Sequence, residues 1–161
     1  MPAELDPQSE AGIRELIQRE TTCLNNGDLD TWMALFTDDG YYWMPLEADQ
    51  QSPHEHDSLI YDNRALMEIR QNNLGHPLSP SMDFPVRSVR ILSDLDIATT
   101  AANECVVRTS VIAMINHKRQ DVYGGSVTYR VCRAGDDWRI QCKRVDLLNA
   151  DAPLDTIMMY I

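Results

Sequence analysis

The spacing of apolar residues changes along this chain, and this change limits the fold more than any other feature. Up to about residue 75, apolar residues recur every three or four positions, as in helices with one buried face. From about residue 86 they alternate with polar residues, as in strands with one buried face. Helices followed by a sheet predict an α+β fold, in which N-terminal helices cover a cone-shaped, curved antiparallel sheet.

Two helices are predicted near the N-terminus. Asp6 can cap a first helix that begins at Pro7, and this helix is expected to stop at 25–27, where the sequence reads Asn-Asn-Gly. Asp28 can cap a second helix that ends at 38–40, where the sequence reads Asp-Asp-Gly. The expected buried face of the second helix comprises Leu29, Trp32, Met33 and Phe36.

A third helix is predicted from Asp62 to just before Gly75. Its expected inward side chains are Ala65, Leu66 and Ile69. Residues 47–57, which precede this helix, are polar and include a proline, which indicates an exposed loop.

Strands are predicted at 41–44, 86–92, 97–115, 122–133 and 138–147. The links between the last four are short, which favours antiparallel pairing. Residues 97–115 are too many for one flat strand, so a bend or bulge is expected among them. Gly124 and Gly125 indicate a bulge or a close backbone approach, since no phosphate-binding glycine motif accompanies them.

Length and charge exclude several classes of protein. A chain of 161 residues is typical of one domain, so we expect a single domain spanning 1–161. The 14 basic and 25 acidic residues give a net charge of −11, which disfavours nucleic acid and anionic membrane surfaces as partners. No apolar run approaches the roughly 20 residues of a membrane-spanning helix. The N-terminus lacks the basic start and apolar stretch of a secretory signal, so a cytoplasmic location is expected.

The cysteines are widely separated and form no C-x-x-C pair, so neither a zinc site nor a disulfide framework is predicted. They are Cys23, Cys105, Cys132 and Cys142, and they are expected to be reduced and mostly buried. None has a histidine two or three residues downstream, which excludes a Rieske cluster on this chain.

His54 and His56, beside Glu55 and Asp57, form the one place where imidazoles and carboxylates crowd together. On an extended segment the two histidines would point the same way, as two ligands of an iron site would. The alternative is a solvated acidic surface loop without a scaffold to hold ligands. The second interpretation is favoured.

An acid–base pocket is a further chemical hypothesis. Small cones can hold a buried carboxylate, histidine or tyrosine whose pKa is tuned by apolar walls. The available residues are Asp39, Tyr42, Asp62 and His117. Such a pocket would suit a stand-alone lyase, isomerase or cyclase. Against this hypothesis, Asp39 suits a turn better than a base, and His117 is expected in an exposed hairpin.

The aromatic run at 41–44 raises a different question, because it offers large apolar groups in both directions. By alternation, Tyr41 and Trp43 face one side of a strand, whereas Tyr42 and Met44 face the other. One side is expected to fill the cone and the other to meet a helix or, as we favour, another chain. The last residues are also apolar, where termini are usually polar. We therefore predict a subunit interface formed by Tyr41, Tyr42, Trp43, Met44, Ile157, Met158, Met159 and Tyr160.

Three segments resemble the small (beta) subunits of aromatic-ring-hydroxylating dioxygenases. They read DDGYYWMPLEAD at 38–49, DSLIYDNRALMEIR at 57–70 and CKRVDLLNADAPLDT at 142–156. Their most specific elements are D-G-x-Y-W-x-P and S-L-I-Y-D-x-R. The similarity extends from about residue 10 to the end of the sequence.

This resemblance implies a fold like those of nuclear transport factor 2 and scytalone dehydratase. It implies that a separate large (alpha) subunit holds the Rieske 2Fe–2S cluster, the mononuclear Fe(II) and the aromatic substrate. Electrons would come from NAD(P)H through a separate transfer chain, and the complex would add both atoms of O2 to an aromatic ring. The small subunit would associate as a trimer that supports three large subunits. No catalytic, cofactor-binding or metal-binding residue is implied on this chain.

Overall fold

The computed structural model describes residues 3–75, 86–150, 157 and 159–161. In this part of the chain the elements are α1 Pro7–Asn26, α2 Leu29–Ala34, β1 Phe36–Pro45, β2 Ser58–Asn63, α3 Arg64–Gly75, β3 Arg87–Leu92, β4 Asp96–Ala101, β5 Glu104–His117, β6 Arg119–Ala134 and β7 Asp137–Leu147. The predicted α+β class is confirmed. No helix of the described residues is long and apolar enough to cross a bilayer.

The strands form one sheet in the order β2-β1-β7-β6-β5-β3, and β4 pairs with β5 beside β3. Every pairing is antiparallel except that of β1 with β7. These two strands can run parallel because a long stretch of chain separates them, as a parallel crossover requires. Helix α1 packs against β3 and β7 and so covers one face of the sheet.

Helix α1 follows the prediction closely. The Asp6 carboxylate accepts a hydrogen bond from the Ser9 backbone N–H at 3.0 Å, which caps the first turn. Gly27 closes the helix in the left-handed conformation, with φ of 69°. The buried face includes Ile13, Ile17 and Leu24, which belong to the hydrophobic core.

Helix α2 is shorter than predicted, because it ends at Ala34 and Phe36 already begins β1. The sheet decides this boundary. The Ile140 backbone N–H donates to the Leu35 carbonyl oxygen at 2.9 Å, and Phe36 pairs with Ile140 in the parallel register. These hydrogen bonds to β7 replace those that a longer helix would have made.

The prediction for α3 is wrong in its start and in its buried face. Residues 58–63 form β2, and the helix begins at Arg64. Leu66 and Ile69 are 40% and 54% exposed, whereas Met67 is 1% exposed. A polar contact decides which face of α3 is buried. Arg64 donates to the Phe36 carbonyl oxygen at 3.0 Å and so holds its own side of the helix against β1.

The long segment 97–115 contains a turn where a bend or bulge was expected. Residues 102–103 form a tight connection, so β4 and β5 are separate antiparallel strands that pair from Ala101 and Glu104 onwards. Because β5 is longer than β4, its second half is free to pair with β3 on the same edge.

Candidate functional site

A buried polar cluster lies between α1 and the sheet, and Glu20 is its centre. One carboxylate oxygen of Glu20 accepts hydrogen bonds from Lys143 Nζ at 2.7 Å and from the Tyr129 hydroxyl at 2.8 Å. The other oxygen accepts from Trp32 Nε1 at 2.9 Å. Lys143 is 2% exposed and the other three residues at most 1%. Three donors from three elements therefore compensate one buried carboxylate.

Burial shifts the proton affinities in this cluster. Removal from water lowers the pKa of Lys143, and the Glu20 carboxylate opposes that shift. Burial also raises the pKa of Tyr129, and the negative charge of Glu20 raises it further. The Tyr129 hydroxyl therefore remains a proton donor to Glu20 throughout the ordinary pH range.

The last described residues lie inside the cone next to this cluster. The Tyr160 ring stacks on Trp32, with ring centres 4.4 Å apart and planes at 19°. It meets Tyr42 edge to face, with ring centres 4.7 Å apart. Its hydroxyl donates to Asp62 Oδ2 at 2.6 Å. Tyr160 and Ile161 are 1% and 0% exposed, so they fill the interior of the cone.

Side chains from the sheet also bind the backbone of this segment. The Ile161 N–H donates to the Tyr42 hydroxyl oxygen at 3.1 Å, and Lys143 Nζ donates to the Ile161 carbonyl oxygen at 2.6 Å. Arg90 donates to the Tyr160 carbonyl oxygen. Lys143 thus joins the Glu20 cluster to the segment, and we call Tyr42, Arg90 and Lys143 the backbone clamp.

Of the four residues predicted for an acid–base pocket, the structure brings two together. Tyr42 and Asp62 are both buried, and Tyr160 lies between them. Asp39 is exposed and accepts a hydrogen bond from the Thr37 hydroxyl at 2.8 Å, so it lies apart from Tyr42 and Asp62. His117 is the last residue of β5 and is half-buried, rather than exposed as expected.

Glu20, Arg90 and Lys143 were not among the residues predicted from the sequence to form a site. A signal existed for Glu20, because it continues the buried helical spacing of Ile13 and Ile17. No comparable signal existed for Lys143. Strand β7 has one extra residue opposite the junction between Arg130 and Val131 of β6. This bulge shifts the in–out alternation of the β7 side chains, so that Lys143 points inward.

The aromatic run alternates as predicted, but both of its faces are largely covered by this chain. Tyr42 and Met44 face the core and are 0% exposed. On the other face, Trp43 is 3% exposed, since the Arg144 guanidinium lies 4.6 Å from the centre of its ring and the Ser58 hydroxyl accepts from Nε1 at 2.9 Å. Tyr41 is half-buried and accepts a hydrogen bond from Arg130 at 2.7 Å.

The predicted interface at the C-terminal end divides in the same way. Ile157 is half-buried, Met159 and Tyr160 are buried in the core, and Met158 lies outside the described residues. Contact of these residues and of the aromatic run with another chain stays a prediction. Within both groups, the half-buried Tyr41 and Ile157 are the described members with appreciable exposed surface.

The histidine loop does not bring metal ligands together. His54 contacts the Tyr61 ring edge to face, with ring centres 5.6 Å apart, and both loop histidines are exposed. Across 3–75, 86–150, 157 and 159–161, no three or more His, Cys, Asp or Glu side chains are grouped so as to hold a metal ion. The four cysteines are free thiols on different elements. These donors therefore do not fit a Rieske cluster or a mononuclear iron site.

Apolar side chains remain exposed on the outer face of the sheet. Ile91 pairs directly with Ile112, and Met114 pairs with both Val89 and Val122, so the five form two adjacent rows across β3, β5 and β6. Each is at least 40% exposed. We call these five residues the outer sheet patch. With Leu66 and Ile69 on α3, they are typical of surfaces that another chain covers.

The model of a family described as ring hydroxylating beta subunit matches residues 19–152. The small oxygenase component of the p-cumate 2,3-dioxygenase system of Pseudomonas putida is 26% identical over 135 residues, which is 82% of this chain and 75% of that protein.

Solved structures show the same fold. The beta subunit of benzoate 1,2-dioxygenase from Burkholderia mallei superposes with a TM-score of 0.70 at 22% identity, covering 98% of this chain and 99% of that one. A candidate scytalone dehydratase from Novosphingobium aromaticivorans gives a TM-score of 0.65 at 14% identity, covering 86% and 83%. The expected likeness to scytalone dehydratase is thereby confirmed.

Proposed function

The chain belongs to the ring hydroxylating beta subunit family, and from this membership we propose that it is the non-catalytic, structural small subunit of an aromatic-ring-hydroxylating dioxygenase. The complex would add both atoms of O2 to an aromatic ring, with electrons from NAD(P)H delivered by a separate transfer chain. The whole sequence, 1–161, would act as one small-subunit domain.

The filled cone is the observation that carries the structural role. In an enzyme with this fold, the cone would have to admit a substrate. Here Tyr160 and Ile161 occupy it, and Asp62, Arg90 and Lys143 are engaged in binding them. The buried acid–base groups are thus committed to contacts within the chain, which favours a supporting role over a lyase, isomerase or cyclase.

A large (alpha) subunit is the proposed partner, and we place the Rieske cluster and the mononuclear Fe(II) on it. The described donor residues of this chain fit neither centre, so no step of the reaction is assigned to them. The small subunit would also associate with two further copies of itself as a trimer. A cytoplasmic location is part of the proposal, and the four free thiols support a reducing compartment.

Two exposed apolar surfaces support assembly. The outer sheet patch presents five large side chains, and α3 presents Leu66 and Ile69 on a face that the sequence pattern assigned to the interior. An apolar stripe that the chain's own core does not use is typical of a subunit contact. The half-buried Tyr41 could extend such a contact along β1.

Co-expression tests this proposal. The chain would be produced alone and together with a large subunit encoded in the same genome, and both preparations would be sized by chromatography with light scattering. We expect a stable complex with equal numbers of the two chains. A monomer that ignores a soluble, folded large subunit would contradict the proposal.

Oxygen consumption separates a structural role from a catalytic one. Tyr42→Phe removes a buried hydroxyl of the cone while keeping its ring in the core. The proposal predicts unchanged oxygen consumption per assembled complex. A loss of turnover in complexes of normal size and iron content would show that the cone takes part in the chemistry.

A further inference from the structure

The residues around Tyr160 contact both its aromatic ring and its hydroxyl. Trp32 lies against one face of the ring and Tyr42 against another side, with ring centres 4.4 Å and 4.7 Å away. The single polar atom of the side chain, its hydroxyl, donates to Asp62 Oδ2 at 2.6 Å. Asp62 is 4% exposed. Aromatic walls with one charged acceptor at the correct depth distinguish a phenol from an unsubstituted ring.

The acceptor is held in position independently of Tyr160. Arg70 donates to both oxygens of Asp62, at 2.7 Å from Nε and 3.2 Å from Nη2. The Arg70 guanidinium also lies 5.5 Å from the centre of the Tyr160 ring. This two-point contact orients the carboxylate toward the hydroxyl before any ring is present.

The ring and its backbone are bound through different contacts, and Tyr42 takes part in both, with its ring against Tyr160 and its hydroxyl on the Ile161 N–H. Tyr42, Arg90 and Lys143 form the backbone clamp through the Ile161 N–H and the two carbonyl oxygens. These contacts would survive removal of the Tyr160 side chain beyond Cβ. The ring pocket can therefore be emptied while the segment remains in place.

We infer that the cone contains a binding site for a 4-substituted phenol, and that Tyr160 of the same chain is the ligand that fills it. Trp32 and Tyr42 supply the walls of the site, and Asp62 accepts the phenolic proton. The inference goes beyond the assembly role, because it assigns a ligand class to the interior of the small subunit.

The Tyr160→Ala variant tests this inference with 4-methylphenol, which is the tyrosine side chain without its backbone. A buried cavity left by a deleted ring can bind small aromatic molecules. We expect 4-methylphenol to raise the melting temperature of this variant and to bind it in calorimetric titration. Toluene, which has nearly the same shape without the hydroxyl, is expected to bind about tenfold more weakly, since it cannot donate the hydrogen bond that the phenol gives to Asp62.

Three controls define the site. The unaltered chain and Tyr160→Phe keep the pocket filled, so neither should be stabilised by 4-methylphenol. Adding Asp62→Asn to Tyr160→Ala weakens the acceptor and should reduce the preference for 4-methylphenol over toluene. Equal affinity for the two compounds, or equal stabilisation of the unaltered chain, would overturn the inference.

Loss of the ring could prevent folding, so Tyr160→Leu provides a second, less severe variant. The leucine side chain fills part of the cavity, so the phenol must displace it in order to bind. We expect a folded protein with weaker but still hydroxyl-dependent binding. A folded variant of either kind that binds no 4-methylphenol refutes the site. Assembly with the large subunit is measured separately on the unaltered chain, so failure of one proposal does not imply failure of the other.

Discussion

The Nζ atom of Lys143 lies 2.7 Å from Oε1 of Glu20 inside the cone, where the two side chains are 3% and 0% exposed. The pair joins β7 to α1, and Lys143 also binds the carbonyl oxygen of Ile161. A buried ion pair costs desolvation, so its value depends on how completely both partners are hydrogen-bonded. Here Trp32 and Tyr129 complete the set around Glu20.

Replacing Glu20 by leucine is expected to lower the free energy of unfolding by about 3–5 kcal/mol, because Lys143 would keep a buried charge without its partner. Urea unfolding followed by circular dichroism measures this change. Glu15→Leu at an exposed position of α1 is the control, expected within about 0.5 kcal/mol of the unaltered chain. Adding Lys143→Met to Glu20→Leu should recover part of the loss. Equal losses of stability in Glu20→Leu and Glu15→Leu would contradict this account.

Stability is expected to fall above pH 10. Burial raises the pKa of Tyr41 to about 12. It raises the pKa values of Tyr42, Tyr129 and Tyr160 further above the ordinary value of 10.0. Between that value and the folded pKa, the folded chain holds more protons than the unfolded one. Each fully buried phenol therefore costs about 1.4 kcal/mol per pH unit in this window and nothing below it.

Phenolate absorbance and urea midpoints, compared at about pH 10 and about pH 11, measure this effect. The lowered pKa of Lys143 acts in the opposite sense, but only below its ordinary value of 10.5. A native chain in which all six tyrosines titrate near pH 10 would contradict the prediction.

The adjacent glycines of β6 are expected to differ in their tolerance of alanine. A Cβ on Gly125 would lie 2.2 Å from the Asp146 carbonyl oxygen on β7, which is backbone and cannot move aside. This is the close backbone approach predicted from the sequence. A Cβ on Gly124 would lie 3.7 Å from Leu148 Cδ1, an ordinary contact. Gly125→Ala should therefore lower the free energy of unfolding by about 2 kcal/mol or more. Gly124→Ala is the matched control, and equal melting temperatures for the two would contradict the prediction.

A charge in the outer sheet patch is expected to weaken assembly without unfolding the chain. Ile112 is 54% exposed in the isolated chain, so Ile112→Lys costs little there but would bury an unpaired charge in an interface. Ile69→Lys tests the exposed face of α3 in the same way. Gln18→Lys, at an exposed position of α1, is the control. Sizing chromatography with and without the large subunit shows which surface serves self-association and which serves the partner. Normal assembly of both Ile112→Lys and Ile69→Lys would show that neither surface lies in an interface.

Arg144 is expected to protect the loop at 46–57. Its guanidinium covers Trp43 and donates to the Ala48 and Gln50 carbonyl oxygens at 2.8 Å and 2.5 Å. Arg144→Leu should accelerate cleavage of this loop by a glutamate-specific protease several-fold and shift the fluorescence of Trp43 toward that of an exposed indole. Arg144→Lys keeps the charge but loses the two-carbonyl contact and should behave similarly. Arg108→Leu, at an exposed position of β5, is the control, and cleavage as fast in it as in Arg144→Leu would contradict this role.

Much of the fold was predictable because its signals are local. The cap at Asp6 and the left-handed Gly27 bound α1, and the alternation after residue 86 indicates strands whatever their partners. Predictions failed where a distant strand competed with the local pattern. Phe36 fits the helical face of α2 but pairs with Ile140, and Leu66 fits an inward position on α3 but lies outside because Arg64 is bound to β1.

The sequence by itself determined the α+β class, the first helix, the strand segments and the family resemblance, because caps, periodicity and short motifs depend on residues close together in the chain. Only the tertiary structure decided what fills the cone. Lys143 turns inward through a one-residue offset between β6 and β7, and Tyr160 meets Asp62 across 98 residues of sequence. Contacts of this kind depend on strand register and on the packing of distant segments, which no local pattern encodes.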